Sequence, residues 1–198
     1  NILGQGITAT DGDRNNTAVF AELAMPITKA IEIQAAIRHD RYSDYGNSTT
    51  PKVGIKFSPH STVLVRANWG KGFRAPTLPE ISPSIATFFT GITDPVFNAA
   101  RTVNGSFGGN PSLQAEESES TTVGIVWEPT RNLNFGLNFY KIDWTNRVIG
   151  NCCQAIVNSG DPTRVIRDPV TNEIIAVLGN YLNQSETATQ GIDFDARY

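Results

Sequence analysis

The sequence has few sulfur-containing residues and no long apolar run: it contains two cysteines and one methionine. No stretch approaches the roughly 20 consecutive apolar residues of a membrane-spanning helix, so a helical membrane protein is excluded. The N-terminal residues show no secretion signal, which decides nothing because the sequence does not begin with methionine. The cysteines, Cys152 and Cys153, are adjacent and cannot link distant segments as in a disulfide-rich secreted domain.

The sequence also lacks a cluster of basic residues and the common catalytic and metal-binding motifs. Sixteen basic and 19 acidic residues give a formal net charge of -3, and no basic run would follow a phosphate backbone. We therefore expect no nucleic-acid partner. The sequence contains no Gly-x-Ser-x-Gly, phosphate-loop or His-Glu-x-x-His motif, and its two histidines and adjacent cysteines make a poor metal set. We expect no catalytic residue, no metal and no cofactor, and predict that the protein is not an enzyme.

Period-two alternation of apolar and polar residues is the strongest pattern in the sequence. In residues 62–70, Val63, Val65 and Trp69 fall on one face, whereas Arg66 and Asn68 fall on the other. Such alternation predicts strands whose two faces meet different surroundings. Residues 133–143 show the same division, with Leu133, Phe135, Leu137 and Phe139 opposite Asn134 and Asn138. Seven segments alternate in this way: residues 19–25, 31–40, 52–57, 62–70, 120–127, 133–143 and 191–198.

The connections between these segments are of two kinds. Tight turns, each containing a proline, are predicted at residues 26–29, 58–61 and 128–131. The other connections are a modest loop near residues 42–50 and two very long loops, at about 71–117 and 146–187. Short turns at one end and long loops at the other predict a transmembrane β-barrel, with periplasmic turns and extracellular loops. The alternative is a soluble β-sandwich adhesin or carbohydrate-binding module, whose strands also alternate but whose loops are rarely so long.

Three motifs resemble those of TonB-dependent receptors, which are outer-membrane importers. Residues 69–80 read WGKGFRAPTLPE, residues 110–118 read NPSLQAEES and residues 189–194 read TQGIDF. Their order and spacing are similar to the family pattern over roughly residues 60–198. The resemblance implies an all-β, antiparallel up-and-down barrel of about 22 strands, of which about seven lie in this chain. It also implies a separate plug domain in the barrel lumen.

The resemblance extends to the function and the partners of the parent protein. Residues 1–198 are expected to form an internal part of one barrel domain, with the plug domain absent from this chain. The implied function is import of a scarce nutrient, most often a ferric siderophore, across the bacterial outer membrane. Implied partners are outer-membrane lipid, the plug, the remaining barrel strands, the inner-membrane TonB complex and the ligand. Cobalamin and saccharides are the other ligand classes in the family.

We expect ligand contacts from the loops and from the polar face of the strands. Arg74 is interpreted mainly as a strand-end residue that shapes the start of a loop, and a lumen or plug contact is the second interpretation. Charged residues of the polar face are interpreted as a solvated wall before an anion-steering surface. The loop phenylalanines are equally suited to ligand capture and to packing within the loop. The candidate ligand-binding residues are Arg66, Asn68, Lys71, Arg74, Phe88, Phe89, Arg101, Tyr140 and Trp144.

Two further expectations concern haem and the cysteines. Residues 73–76 and 110–113 resemble the two boxes that frame the ligand-binding loop of haem receptors, where a histidine between the boxes supplies an axial nitrogen. Residues 77–109 contain no His, Cys, Tyr or Met, which predicts a ligand other than haem. Cys152 and Cys153 are expected in an extracellular loop as a vicinal disulfide or a staple to an outside partner. A pair of incidental thiols is the other interpretation.

Overall fold

The computed structural model describes residues 7–9 and 11–198, and this part of the chain is almost entirely β-structure. Two short helices interrupt the strands: α1 (Leu78–Ile81) and α2 (Gln154–Ser159). Neither of these helices is long and apolar enough to cross a membrane. The strands are β1 (Ile7–Ala9), β2 (Asn16–Pro26), β3 (Ile31–Tyr42), β4 (Gly46–His60), β5 (Val63–Arg74), β6 (Ile85–Asp94), β7 (Ala99–Gly108), β8 (Glu116–Thr130), β9 (Leu133–Asn151), β10 (Val165–Arg167) and β11 (Ile174–Arg197).

The chain divides into two compact units. The first, here called the wall unit, consists of Asn15–Arg74, Ala115–Asn146 and Glu186–Tyr198. The second, here called the loop unit, consists of Asn1–Arg14, Ala75–Gln114 and Arg147–Ser185. All seven predicted strands are confirmed, as β2, β3, β4, β5, β8, β9 and β11.

The wall unit is an antiparallel sheet in which β2, β3, β4, β5, β8 and β9 are successive neighbours. Val65 of β5 lies opposite Ile125 of β8, and Ile125 lies opposite Leu137 of β9. One residue further along β5, Arg66 lies in register with Gly124, which faces Asn138. Because side chains alternate along a strand, the register gathers the apolar residues on one face and the polar residues on the other, as predicted.

The apolar face of the wall unit is exposed. Val19, for example, is 66% exposed, and Trp127 and Phe135 stack on this face with ring centroids 5.7 Å apart. In a soluble β-sandwich such a face would pack against a second sheet. A large exposed apolar surface instead marks a region that contacts another apolar phase or molecule. Other large apolar residues exposed on this face are Leu23, Ile37, Val53, Ile55, Phe57, Val123, Ile125, Leu137, Phe139, Ile192 and Phe194. Phe20, which is also exposed, lies opposite Arg38 on the polar face.

The three predicted tight turns are confirmed. Residues 27–30 join β2 to β3, residues 61–62 join β4 to β5, and residues 131–132 join β8 to β9. Strand pairing is irregular just before the second and third turns, between Phe57 and His60 and between Trp127 and Thr130. Each irregular step contains a proline, at residues 59 and 129, which has no N–H to donate to the neighbouring strand.

The predicted loop near residues 42–50 is wrong. Strands β3 and β4 continue through it and are joined by residues 43–45, after which Gly46 adopts φ +113°, a conformation that favours glycine. Pairing is regular from Tyr42 opposite Gly46 onward. Residues 46–50 read GNSTT, so both faces of this extension are polar and the sequence shows no alternation there.

The two long loops predicted at residues 71–117 and 146–187 are not irregular connections. They contain β6, β7, β10, both helices and the ends of neighbouring strands. In the loop unit β1, β6 and β7 pair in antiparallel order, β7 pairs in parallel with the first part of β11, and β10 pairs with β11. A buried cluster holds the unit together and comprises Ile92, Val103, Ile156, Val157, Ile174 and Val177.

Candidate functional site

Four of the predicted ligand-binding residues share the polar face of the wall unit. Asn68 lies opposite Thr122, which in turn lies opposite Tyr140, and the Nδ2 atom of Asn68 is 3.4 Å from the Oγ1 atom of Thr122. Arg66 lies two residues from Asn68, and Trp144 four residues from Tyr140, so alternation places both on the same face. The structure therefore brings these four residues onto one surface.

Glycines let the polar side chains lie flat on this surface. Arg66 donates from Nη2 to Oδ1 of Asn138 at 2.9 Å, and a Cβ atom on Gly124 would lie 3.1 Å from Nε of Arg66. A Cβ atom on Gly191 would lie 2.6 Å from the hydroxyl oxygen of Tyr140. The polar face bounds an open cleft of about 860 Å³, whose lining includes Lys52, Asn68, Gly70, Gly72 and Ser120.

Lys71, which the sequence predicted to begin the first long loop, still belongs to β5 and lies on the face of β5 opposite to this polar surface. Lys71 lies opposite Glu119 and two residues after Trp69, with no irregularity in pairing along β5 and β8. It therefore shares the face of Trp69, whose Nε1 donates to Glu119 at 2.8 Å. Lys141 and Asp143 lie on the same face and form an ion pair, with Nζ and Oδ2 2.8 Å apart. We call Lys71, Glu119, Lys141 and Asp143 the charged row of this face. Counting by twos from Trp69 in the sequence would have placed Lys71 on this side.

Arg74 ends β5 and forms an ion pair with Glu116, the first residue of β8. Its Nη2 atom lies 2.5 Å from Oε1 of Glu116, which is buried, and the two residues are opposite each other in the sheet. The contact joins the last pair of the two strands where the chain enters the loop unit. This geometry fits the strand-end role predicted for Arg74.

The first family-like motif folds around the helix α1. Thr77 caps the helix, and its backbone N–H donates to Oε2 of Glu80 at 2.6 Å, which forms a capping box. Ser84 then donates from its hydroxyl to the carbonyl oxygen of Pro79 at 2.7 Å. The proline-rich segment is therefore held in one conformation by its own side chains.

The second motif closes onto the first. The N–H of Asn110 donates to the carbonyl oxygen of Glu80 at 2.7 Å, and the N–H of Gly109 donates to that of Ser84 at 3.0 Å. A Cβ atom on Gly109 would overlap the carbonyl oxygen of Ser82, so only glycine fits this approach. We call the contact between residues 80–84 and 109–110 the neck, because it closes the base of the β6–β7 hairpin.

Amide side chains then tie the second motif to β11. Asn110 donates from Nδ2 to the carbonyl oxygen of Tyr181 at 2.9 Å. Asn183 bonds the backbone of Gln114 in both directions, accepting at 2.8 Å and donating at 3.0 Å. Leu113 between them is buried. The residues of the motif, which the sequence analysis used only as a mark of resemblance, thus have structural roles in tying this segment to β11.

Phe88, Phe89 and Arg101 lie in the loop unit. Phe88 packs over Gly105, whereas Phe89 points to the other face of β6 and is 61% exposed. Arg101 is 28% exposed, pairs with Glu173 at 2.7 Å and lies over the ring of Phe97 at 5.5 Å. Of the three, Phe89 is the one free to contact a ligand without rearrangement.

A buried ion pair in the loop unit was missed by sequence reasoning. Asp94 is 0% exposed and accepts from Nη1 and Nη2 of Arg167, each at 3.0 Å. The N–H groups of Val96 and Ile174 donate to the same carboxylate, at 3.0 and 3.4 Å. These hydrogen bonds, above all those from Arg167, hold the pKa of Asp94 below its ordinary value against the opposing effect of burial. No sequence spacing connects residues 73 positions apart, so no signal could have found the pair.

Cys152 and Cys153 form a disulfide with each other, which confirms the predicted vicinal pairing, whereas their extracellular location stays a prediction. Cys152 directly follows β9, and Cys153 is the N-cap residue of α2. Cys153 also packs against the buried cluster of the loop unit.

The sequence matches, over residues 1–198, the family model described as TonB dependent receptor-like, beta-barrel. The vitamin B12 transporter BtuB of Vibrio cholerae is 27% identical over 126 residues, which cover 60% of this chain and 17% of the transporter. The chain therefore spans about a sixth of the length of that curated relative.

Solved structures show the same fold. A mutant of the ferric enterobactin receptor of Pseudomonas aeruginosa superimposes with a TM-score of 0.72 at 16% identity, covering 91% of this chain and 24% of that one. The siderophore receptor PirA of Acinetobacter baumannii superimposes with a TM-score of 0.70 at 15% identity, and the match covers 94% of this chain and 26% of the receptor. The hemophore receptor HasR of Serratia marcescens superimposes with a TM-score of 0.61 at 15% identity, and the match covers 92% of this chain and 31% of the receptor.

Proposed function

Because the chain belongs to the TonB-dependent receptor β-barrel family, we propose that its parent protein imports a scarce nutrient across the bacterial outer membrane. The chain contributes part of the barrel wall and of the extracellular ligand-binding loops. The parent supplies the plug, the remaining strands and the contact with the inner-membrane TonB complex that drives transport. The proposed role is transport without catalysis.

One observation carries this proposal: the wall unit has an exposed apolar face backed by a polar one. Lipid on one side of a sheet and a water-filled or plugged lumen on the other require this arrangement. The charged row of Lys71, Glu119, Lys141 and Asp143 and the Trp69 indole border the apolar band on the outer face. Indole groups prefer the membrane interface, so this row is the proposed boundary with the outer-leaflet headgroups.

Spin labels at Val65 and Arg66 test the orientation, because these neighbours have the same depth and opposite faces. A nitroxide attached through Val65→Cys should collide more often with oxygen and less often with a water-soluble nickel complex than one attached through Arg66→Cys. Oxygen concentrates in lipid, whereas the nickel complex is excluded from it. The measurement uses full-length protein in bilayers, with Cys152 and Cys153 kept as a disulfide. Equal accessibilities at the two positions would contradict the proposal.

Uptake by cells tests the transport function. Cells that carry the parent gene should accumulate labelled ferric siderophores, cobalamin or saccharides, one of these classes well above the others, and should lose this uptake when the TonB complex is inactivated. Phe89→Ala should lower uptake of that ligand by about tenfold, the value of one well-buried aromatic contact. Ile85→Ala, on the same face of β6, is the matched control and should change it little. Uptake that persists without the TonB complex would refute the proposed mechanism.

We also propose that the ligand is not haem. Residues 77–109 offer two exposed phenylalanines, amides and a cation but no axial ligand for haem iron. An anionic or aromatic-bearing chelate suits these groups better. Titration of the purified parent with haemin should therefore leave the Soret band of haemin unshifted. Tight, stoichiometric binding with a shifted Soret band would contradict this expectation.

A further inference from the structure

The disulfide of Cys152 and Cys153 lies where β9 passes into α2. Cys153 has φ +63°, in the region that favours glycine, and it caps the N-terminus of the helix. A side chain in this region is retained only where the surrounding structure holds it. The bond to Cys152 closes a small ring around the intervening peptide and so supplies a local restraint. The direction in which the chain enters α2 is therefore coupled to the disulfide.

The next residue, Gln154, fastens the helix to the edge of β6. Its Oε1 accepts the N–H of Thr93 at 2.6 Å, and its Nε2 donates to the carbonyl oxygen of Thr93 at 3.1 Å. One side-chain amide thus bonds a strand residue as a neighbouring strand would. Behind it Ile156 and Val157 enter the buried cluster beside Ile92. Movement at Cys153 would displace both contacts.

Both cysteines are partly exposed, so a small thiol can approach the disulfide from solvent. The two sides of the link differ. Cys153 contacts the buried cluster, while Cys152 packs close to Gly179, where an added Cβ would lie 3.0 Å from Cys152 Cβ. A disulfide that is reachable and restrains an adjacent helix has the properties of an exchange site.

We propose that the Cys152–Cys153 disulfide is a thiol-exchange site that controls how firmly α2 is held against β6. A low-molecular-weight thiolate attacks one sulfur, the S–S bond breaks, and the second cysteine leaves as a thiolate and takes up a proton. A second thiol then attacks the mixed disulfide and releases the small molecule as its own disulfide. Two thiols of the reagent are oxidised, and the cysteine pair is reduced to two thiols. Cys153 then relaxes, and Gln154 loses its alignment with Thr93.

Hydrogen–deuterium exchange on the full-length protein in detergent tests this coupling. The oxidised protein is compared with protein treated with glutathione, and peptide mass mapping establishes the state of Cys152 and Cys153. On reduction, peptides that contain Thr93 and residues 154–159 should exchange about tenfold faster, the effect of losing the two hydrogen bonds between the Gln154 side chain and the Thr93 backbone. Peptides from β4 and β5 should not change. Phenylarsine oxide, which binds adjacent thiols, should bind the reduced protein only.

Two variants separate the contribution of the Gln154 hydrogen bonds from that of the disulfide. Gln154→Ala should exchange fast at Thr93 already in the oxidised state and respond little to glutathione. The double variant Cys152→Ser, Cys153→Ser should resemble the reduced protein and be insensitive to the thiol. The proposal is overturned if glutathione leaves the disulfide intact, or if complete reduction of the native protein leaves exchange at Thr93 unchanged. Both outcomes are measured on the native protein, so they do not depend on whether a variant folds. They also do not depend on the transport proposal.

Discussion

Replacing Arg167 with methionine should destabilise the loop unit by about 3 kcal/mol. The substitution keeps the length of the side chain but leaves the Asp94 carboxylate buried without its cation. An unpaired buried charge costs far more than the loss of an ordinary contact, and the two N–H groups of Val96 and Ile174 compensate only partly. The local opening free energy of peptides around Asp94, measured by hydrogen exchange in the full-length protein, gives the effect.

Arg101→Met is the matched control within the same unit. Arg101 and its partner Glu173 are both partly exposed, so this ion pair is screened by solvent and should contribute about 1 kcal/mol or less. Adding Asp94→Asn to Arg167→Met removes the uncompensated charge and should restore part of the lost stability. If the double variant were as unstable as Arg167→Met alone, packing and not charge would explain the effect.

Acid should weaken the same contact, with a sign set by the lowered pKa of Asp94. The stabilising contribution of the ionised carboxylate is complete above the ordinary value of 3.8 and is lost as the pH falls below it toward the lowered pKa. The loop unit of the native protein should therefore open more readily in this acid range. The variant that carries both Asp94→Asn and Arg167→Met should lack that part of the pH dependence.

Gly109→Ala should open the neck and cost about 3 kcal/mol, the upper end of the range for added atoms in a packed site. The new Cβ would overlap the carbonyl oxygen of Ser82, which is backbone and cannot rotate away. Separation of the two segments breaks the hydrogen bonds from Gly109 to Ser84 and from Asn110 to Glu80. Exchange of the Asn110 amide and the free energy of unfolding of the loop unit report the change.

Gly91→Ala provides the comparison. No atom lies within 4 Å of an added Cβ at Gly91, and its backbone is not in the left-handed region. Alanine should therefore leave stability unchanged or raise it by about 0.5 kcal/mol through the loss of freedom in the unfolded chain. Equal destabilisation by Gly91→Ala and Gly109→Ala would show that close approach at the neck is not the cause.

The strands of the wall unit were predictable because each separates two environments. In residues 62–70 the alternation of Val65 and Arg66 carries both the existence of the strand and its orientation. Strand β6 was missed because apolar residues occur on both of its faces, with Phe88 and Ile92 packed and Phe89 exposed. Alternation disappears when a strand packs on one side and displays aromatic groups on the other.

The candidate site was predicted less completely than the fold. Alternation in the sequence put Arg66 and Asn68 on one face, and the register of β5, β8 and β9 adds Tyr140 and Trp144 to that surface. Lys71 lies on the opposite face. The ion pair of Asp94 with Arg167 depends on the pairing of distant strands, which a single sequence does not encode locally. Contacts within such loops therefore cannot be predicted from a single sequence until the pairing of their strands is known.

The neck has a consequence for how such loops diversify. It brings the ends of the β6–β7 hairpin together, so the closure entropy of residues 85–108 is compensated at the base and grows only slowly with the length of the insert. Residues 85–108 leave and return through the neck, so their number can change without altering the hydrogen bonds of Gly109 to Ser84 and of Asn110 to Glu80. The hairpin is thus an insert that can be lengthened, shortened or exchanged by grafting, provided that the contact between residues 80–84 and 109–110 is kept.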